Sequence, residues 1–264
     1  MRLGVAATAP FGADVLRRLA ERRDVAFVLT RPDRPQGRGR RLAPQPAKVA
    51  AEELGIPVLQ PERLGPDVEL DADAVVVVAY GLLVPEAQLE QRLWLNVHPS
   101  LLPRWRGAAP VERAIMAGDD ETGVTIHETV RELDAGPIAA QRAFPIGLDD
   151  DAGAVFERTA AVAVELLEEV LPEPSFRPQP EEGATYAHKI GAEDRELDWS
   201  RPARELHDRI RALSPHIGAR GELHGRRVLV WRSRLADDGS LEILEVQPEG
   251  KRRMTYEEWT RGLR

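Results

Sequence analysis

The run Ala74-Val75-Val76-Val77-Val78 is apolar on both faces, and a strand that can be buried on both faces belongs in the middle of a parallel sheet with helices on either side. Around it, short apolar strand candidates at 1–7, 25–29, 56–59 and 93–97 alternate with helical patterns at 13–21, 47–54 and 86–92. That alternation is the rhythm of parallel strands joined by crossover helices. Further strands are predicted at 123–128 and 137–144. A helix is predicted at 152–171, where Val155, Phe156, Val162, Leu166 and Val170 recur at helical spacing behind acids at 149–151. Residues 1–171 therefore read as an α/β domain.

Four prolines between 172 and 180 cannot continue a helix and read as an exposed connector. Beyond it the pattern gives a helix at 202–213, strands at 226–231 and 241–246, and a capping box at Thr255 to Glu258 before a last short helix. The second domain is expected to be small and partly β. With 42% hydrophobic and 30% charged residues in a chain of 264, disorder, collagen and a pure coiled coil are excluded. The longest stretch without a charged residue, 74–85, is far below the roughly 18 apolar residues a membrane crossing requires. The strand, helix and strand within the first thirty residues leave no expected presequence. The absence of cysteine removes disulfides, thiolate zinc sites and a cysteine nucleophile, and fits a reducing compartment, so the cytoplasm is expected.

The formal net charge is -8, yet residues 31–48, RPDRPQGRGRRLAPQPAK, carry five arginines and one lysine against one aspartate. A polyanionic partner is the natural expectation, set against the plainer reading of a solvated loop kept for solubility. Prolines and glycines from Pro32 to Gly39 are expected to forbid regular structure, so the arginines would project from a loop after the second strand, on the edge where open parallel sheets bind ligands. A second basic cluster, Lys251, Arg252 and Arg253, suggests that two patches could bracket one nucleic-acid strand.

Asn96 and His98 stand at i and i+2 near the end of a strand, so they face the same way while Val97 faces packing. An amide that can hold an oxyanion beside an imidazole of near-neutral pKa suits acyl transfer; the plainer alternative is two side chains satisfied by turn backbone. Asp134 lies before a glycine between two strand candidates, able to return a carboxylate to the same edge or simply to form the turn. His127-Glu128 is followed by Arg131 where a zinc-protease helix needs a second histidine, and neither a Gly-x-Ser-x-Gly elbow nor a P-loop sequence occurs. Group transfer is the class that survives.

The stretch 96–110, NVHPSLLPRWRGAAP, followed by 121–134, ETGVTIHETVRELD, resembles the folate-dependent formyltransferases, whose signature is the Ser-Leu-Leu-Pro run. Within that superfamily, residues 31–48 look like the inserted loop of the methionyl-tRNA formyltransferases, and 246–254, VQPEGKRRM, like their C-terminal segment. The resemblance implies a Rossmann-like catalytic domain with a parallel-rich sheet over 1–171, a proline-rich linker over 172–184, and an OB-like β-barrel, tRNA-binding domain over 185–264. It further implies transfer of a formyl group from 10-formyltetrahydrofolate to the methionine amine of initiator methionyl-tRNA, without a metal or a membrane, by a monomer. Asn96, His98 and Asp134 match the family's catalytic residues. Ser100, Leu101, Leu102 and Pro103 match its folate-contacting turn, and Tyr80, Gly81, Leu82 and Leu83 the segment lining the pterin pocket. Arg34, Arg38, Arg40 and Arg41 are the expected tRNA contacts. On this resemblance Asn96 and His98 would supply donors to the oxygen of the tetrahedral intermediate, while Asp134 holds His98 or a water. The chain departs from the family in its first loop, Ala6-Ala7-Thr8-Ala9-Pro10-Phe11 for the usual Gly-Thr-Pro, and after Asp134, where AGPI replaces Thr-Gly-Asp. Between Trp231 and Val246 there is room for one hairpin where the family has several more strands, so the implied barrel is shortened and incomplete. Two alternatives stay open, a sugar N-formyltransferase acting on a nucleotide-linked amino sugar and a noncatalytic tRNA-binding homologue.

Overall fold

The computed structural model describes residues 1–36 and 41–263. The chain opens with β1 (Leu3–Ala7), α1 (Pro10–Ala20), β2 (Val25–Leu29), β3 (Arg34–Gln36), β4 (Arg41–Ala43), α2 (Pro46–Glu53) and β5 (Val58–Leu59). It continues through β6 (Ala74–Val78), α3 (Glu86–Leu89), β7 (Leu93–His98), β8 (Arg106–Gly107), α4 (Pro110–Met116), β9 (Glu121–Glu128), β10 (Ile138–Pro145) and α5 (Ala152–Val170). The remainder is β11 (Tyr186–Ala187), a 3-10 turn, α6 (Ala203–Leu213), β12 (Ala219–Leu223), β13 (Arg226–Leu235), β14 (Leu241–Pro248), β15 (Met254–Thr255) and α7 (Tyr256–Arg261). Two compact units result: Met1–Arg106 with Gly123–Ala143 and Glu157–Thr185, and Gly107–Thr122 with Phe144–Phe156 and Tyr186–Arg264. Among the described residues no helix is long and apolar enough to cross a membrane.

The first unit is built on a seven-stranded sheet in the order β10-β9-β7-β6-β1-β2-β5. β6 is buried at every residue, as an all-apolar strand must be, and pairs in parallel with β1 and β7. The chain runs from β1 outward through β2 to β5 and then returns to the other side of β1 as β6. The carboxyl ends of β1 and β6 therefore border the switch point at which open α/β sheets take their ligands. α1, α2 and α4 each begin with a proline in the first turn, where a missing N–H costs nothing.

Two features differ from the sequence expectation. Within the basic loop, Arg34–Gln36 pairs antiparallel with Arg41–Ala43, because a two-stranded ribbon has only edges and tolerates Pro35's missing donor. The stretch 172–184 is part of the first unit and hydrogen-bonded within it: Arg177 forms a bridge with Ile138 on the edge strand β10, and its guanidinium donates to Gln141 Oε1 at 2.7 Å.

In the second unit β12-β13-β14-β15 form an antiparallel sheet, and among the described residues β12 and β15 stand at opposite edges, unpaired with each other. Leu206, Ile210 and Leu213 of α6 pack with Val228, Val230, Val246 and Trp259. β12 escapes sequence reading because its ARGEL residues alternate weakly and stand at the sheet edge. Thr255 accepts from the Glu258 amide at 3.1 Å, closing the cap of α7.

A buried polar cluster anchors α6. Arg211 Nε donates to Asp208 Oδ1 at 2.8 Å, and its Nη1 donates to the carbonyls of Gly147 and Asp150 at 3.2 and 2.9 Å. Asp208 also accepts from Arg204, and His207 bridges Ser233 and the Leu148 carbonyl. Removing one member of a buried pair leaves its partner's charge uncompensated, so Asp208→Ala is expected to cost about 3 kcal/mol. Urea denaturation followed by tryptophan fluorescence checks this; an unchanged midpoint would show that the cluster adds nothing to stability.

Candidate active site

β7 carries Asn96 and His98 on one side of the strand and Val97 on the other, with Val97 buried. β9 runs antiparallel beside it in a register that sets Asn96 opposite His127 and His98 opposite Thr125. Asp134 arrives from the loop after β9 in the left-handed backbone region, φ 49°, which aspartate tolerates better than most residues. Gly136 allows the loop to close on itself, since a β-carbon there would lie 1.8 Å from the Glu128 carbonyl oxygen. Gln179 Nε2 donates to the carbonyls of Asp134 and Gly136 at 3.0 and 3.1 Å, tying the loop from outside.

Asn96, His98 and Asp134 thus meet. Asn96 Nδ2 lies 3.0 Å from Asp134 Oδ1 and 3.1 Å from His127 Nε2, while His98 Nδ1 lies 3.6 Å from Asp134 Oδ2. Each imidazole presents its other nitrogen to a backbone carbonyl, His98 Nε2 to Trp105 and His127 Nδ1 to Glu128, both at 2.8 Å. A nitrogen facing a carbonyl must carry the proton, which assigns the tautomers. Neutral His98 then turns its Nδ1 lone pair toward Asp134, and His127 Nε2 accepts from Asn96. Both amide hydrogens of Asn96 are engaged by internal acceptors, as is His98 Nε2–H. The oxyanion donors expected of Asn96 and His98 are therefore committed within the protein, and donation to a substrate requires an exchange of partners. Burial holds the His98 pKa below the ordinary histidine value; Asp134 and the Trp105 carbonyl oppose that shift, and His127 adds to it.

The Ser100 to Pro103 turn follows directly from β7. Ser100 is buried, with Oγ donating to the Arg104 carbonyl at 2.7 Å. Thr125 Oγ1 donates to the Ser100 carbonyl and accepts from the Leu102 amide, and the Leu102 carbonyl accepts from Gln141. Leu101 is half-buried and Leu102 buried, while the Pro103 carbonyl accepts from the Thr185 amide. At the end of the neighbouring β6, Tyr80 is buried, Gly81 takes φ 76°, and Leu82 and Leu83 are exposed apolar side chains, 37% and 80% accessible.

Arg34 is exposed on β3, and Arg41 opens β4; Arg38 and Arg40 lie outside the described residues. Asp33 is engaged by Lys48 at 2.7 Å and Gln60 at 2.8 Å, which holds its carboxyl below the usual range and the Lys48 ammonium above its own. Of the C-terminal cluster, Arg252 pairs with Glu258, and Arg253 stacks over the Trp231 ring and donates to the Pro215 carbonyl. Arg253 is thus committed to its own unit's packing. Sequence reading missed His127 as a neighbour of Asn96, since only strand register reveals it, and missed Gln179, whose prolines on either side disguise its hydrogen bonds.

A formyl transferase family model matches residues 3–171, and a formyl transferase C-terminal domain model matches 189–238. A methionyl-tRNA formyltransferase of Paracoccus denitrificans is 44% identical over 292 residues, covering 100% of this chain and 98% of the relative. The chain belongs to the methionyl-tRNA formyltransferase family. A methionyl-tRNA formyltransferase from Clostridium thermocellum shares the fold with a TM-score of 0.67 at 15% identity, over 94% of this chain and 98% of that one. HypX from Aquifex aeolicus in complex with tetrahydrofolic acid shares it with a TM-score of 0.69 at 17% identity, and this chain spans about half of it, 98% against 46%. Among the described residues of this formyltransferase family member, no group of three or more histidines and carboxylates is arranged to hold a metal ion.

A depressed histidine pKa means that the unfolded chain takes up a proton first as the pH falls. The contribution of His98 to stability is therefore complete above the unfolded value of about 6.5 and is lost as the pH drops through it. Urea midpoints compared at pH 7.5 and 5.5 are expected to fall less in His98→Gln than in the parent protein. Equal losses in the two proteins would mean that His98 is not held neutral by burial.

Proposed function

We propose that this chain transfers the formyl group of 10-formyltetrahydrofolate to the α-amine of methionine on initiator methionyl-tRNA, in the cytoplasm. The observation that carries this reading is the meeting of Asn96, His98 and Asp134 at one end of β7, in a chain that aligns along its whole length with relatives bearing that name. The folate co-substrate would lie against the Ser100 to Pro103 turn and the exposed leucines after β6, and the Arg34 hairpin would contact the acceptor end of the RNA through phosphates and unpaired bases.

The chemistry follows from the proton positions. As the amine attacks the formyl carbon, a new C–N bond forms and the carbonyl oxygen gains negative charge. His98 Nδ1 is the unprotonated nitrogen that acts as base, and Asp134 Oδ2, which faces the same nitrogen at 3.6 Å, stabilises the imidazolium. Once Nδ1 carries a proton, the carboxylate turns to it and releases its hold on Asn96, whose freed N–H serves the oxyanion. Loss of the C–N bond to tetrahydrofolate returns the proton from His98 to the departing nitrogen. The carbonyl Oδ1 of Asn96 remains an acceptor that can orient the attacking N–H.

The test is to offer 10-formyltetrahydrofolate with either methionyl initiator tRNA or a nucleotide-linked amino sugar and to see which is formylated. Formylation of the sugar alone would overturn the reading, and formylation of neither would leave a binding protein. Asp134→Asn keeps a residue that accepts a left-handed backbone and removes the carboxylate. Its formyl-transfer rate is expected to fall by about 10²–10⁴-fold, the usual scale of a positioned acid–base group. A variant with the parent rate would remove the carboxylate from the mechanism.

A further inference from the structure

Arg31 stands just beyond β2, at the start of the arginine-bearing segment. Its backbone is pinned, the carbonyl accepting from Gln60 Nε2 at 2.8 Å. Its side chain crosses toward the end of β6, where Nη1 would lie 3.5 Å and Cδ 4.0 Å from a β-carbon at Gly81. The guanidinium is close enough to Tyr80 to act on that phenol, whose pKa burial pushes up to about 12 and Arg31 pulls back down. Nε of Arg31 is buried without a hydrogen-bond partner among the described residues. Asp33, the one acid of the segment, is already taken by Lys48 and Gln60. A half-buried guanidinium with no counter-ion among the described residues, placed where β2 and β6 flank the end of β1, is costly to keep unless an anion completes it.

We propose that Arg31 is an anion-binding residue of the acceptor site and takes a phosphodiester oxygen near the aminoacylated end of the RNA. This inference rests on the function proposed above. A phosphodiester is favoured because Arg31 is continuous in sequence with the exposed Arg34 of the hairpin, giving a positive path along which a polyanionic strand can run into the switch point. The planar guanidinium fork matches a phosphate geometrically, and its buried Nε–H is the donor still open. The glutamate carboxylates of the folate tail share the same chemistry and form the competing source.

Three measurements on the full chain and its Arg31→Gln variant decide the matter. Fluorescence anisotropy with a labelled RNA minihelix ending in CCA reads the phosphate contact without requiring catalysis, so it remains informative even if formyl transfer to tRNA is absent from the parent protein. The variant is expected to bind at least about tenfold more weakly, with its salt dependence reduced by about 0.7–0.9 in log–log slope. Binding of tetrahydrofolate diglutamate should be the same in both proteins. Thermal unfolding without ligand should leave the variant at or above the parent, since an arginine lacking a counter-ion contributes nothing to the fold that glutamine loses. Unchanged RNA affinity would overturn the proposal, weakened folate binding with unchanged RNA binding would assign Arg31 to the co-substrate, and a melting temperature several degrees lower would make it a packing residue. Formylation of methionyl-tRNA by the parent protein tests the underlying function separately.

Discussion

Asn96 Nδ2 reaches Asp134 Oδ1 at 3.0 Å across 38 positions of sequence, and the rest of the candidate centre depends on that bond. It fixes which end of the amide faces the carboxylate, and so which end is free. It leaves Asp134 Oδ2 directed at His98 Nδ1, with a gap of 3.6 Å that tightens into a charge-assisted contact once the imidazole is protonated. Hydrogen bonds to a charged partner contribute about 1.5–3 kcal/mol, enough to hold a carboxylate that stands on an unusual backbone conformation. His127 completes the arrangement by offering Asn96 a second acceptor, so the amide has a single orientation that satisfies both of its hydrogens.

The positioning of Asp134 draws on distant parts of the first unit. β9 brings the loop alongside β7, Gly136 lets it turn without collision, and Gln179 holds two of its carbonyls from the proline-rich stretch. That stretch also covers the exposed edge of β10 through Arg177, protecting an edge strand that would otherwise present unpaired backbone groups. One short segment therefore serves both the sheet's edge and the carboxylate's geometry.

The parts of this organisation that were legible in sequence are those governed by local patterns. β6 could be read at 74–78 because four adjacent valines leave no polar face, and the pair 96 and 98 because a strand repeats every second residue. Thr255 announced its helix through a cap that acts over three residues. His127 was not legible, because its role depends on the register between two strands about thirty residues apart. The pairing of β3 with β4 was hidden by Pro35, which the interior of a sheet would not accept yet costs little in a two-stranded ribbon. Arg31 looked like one more cation of its segment, and only the Gln60 anchor and the buried Nε set it apart.

The clamp formed by Asp33, Lys48 and Gln60 has a consequence for how the protein responds to acidity. The ion pair depresses the carboxyl and raises the ammonium, so these two charges cancel throughout the neutral range. The surplus charge of the segment then resides on guanidinium groups, which do not titrate in proteins. Acidification that reaches His98 leaves the positive charge of this segment as it was, so the imidazole and the cationic segment answer to separate controls.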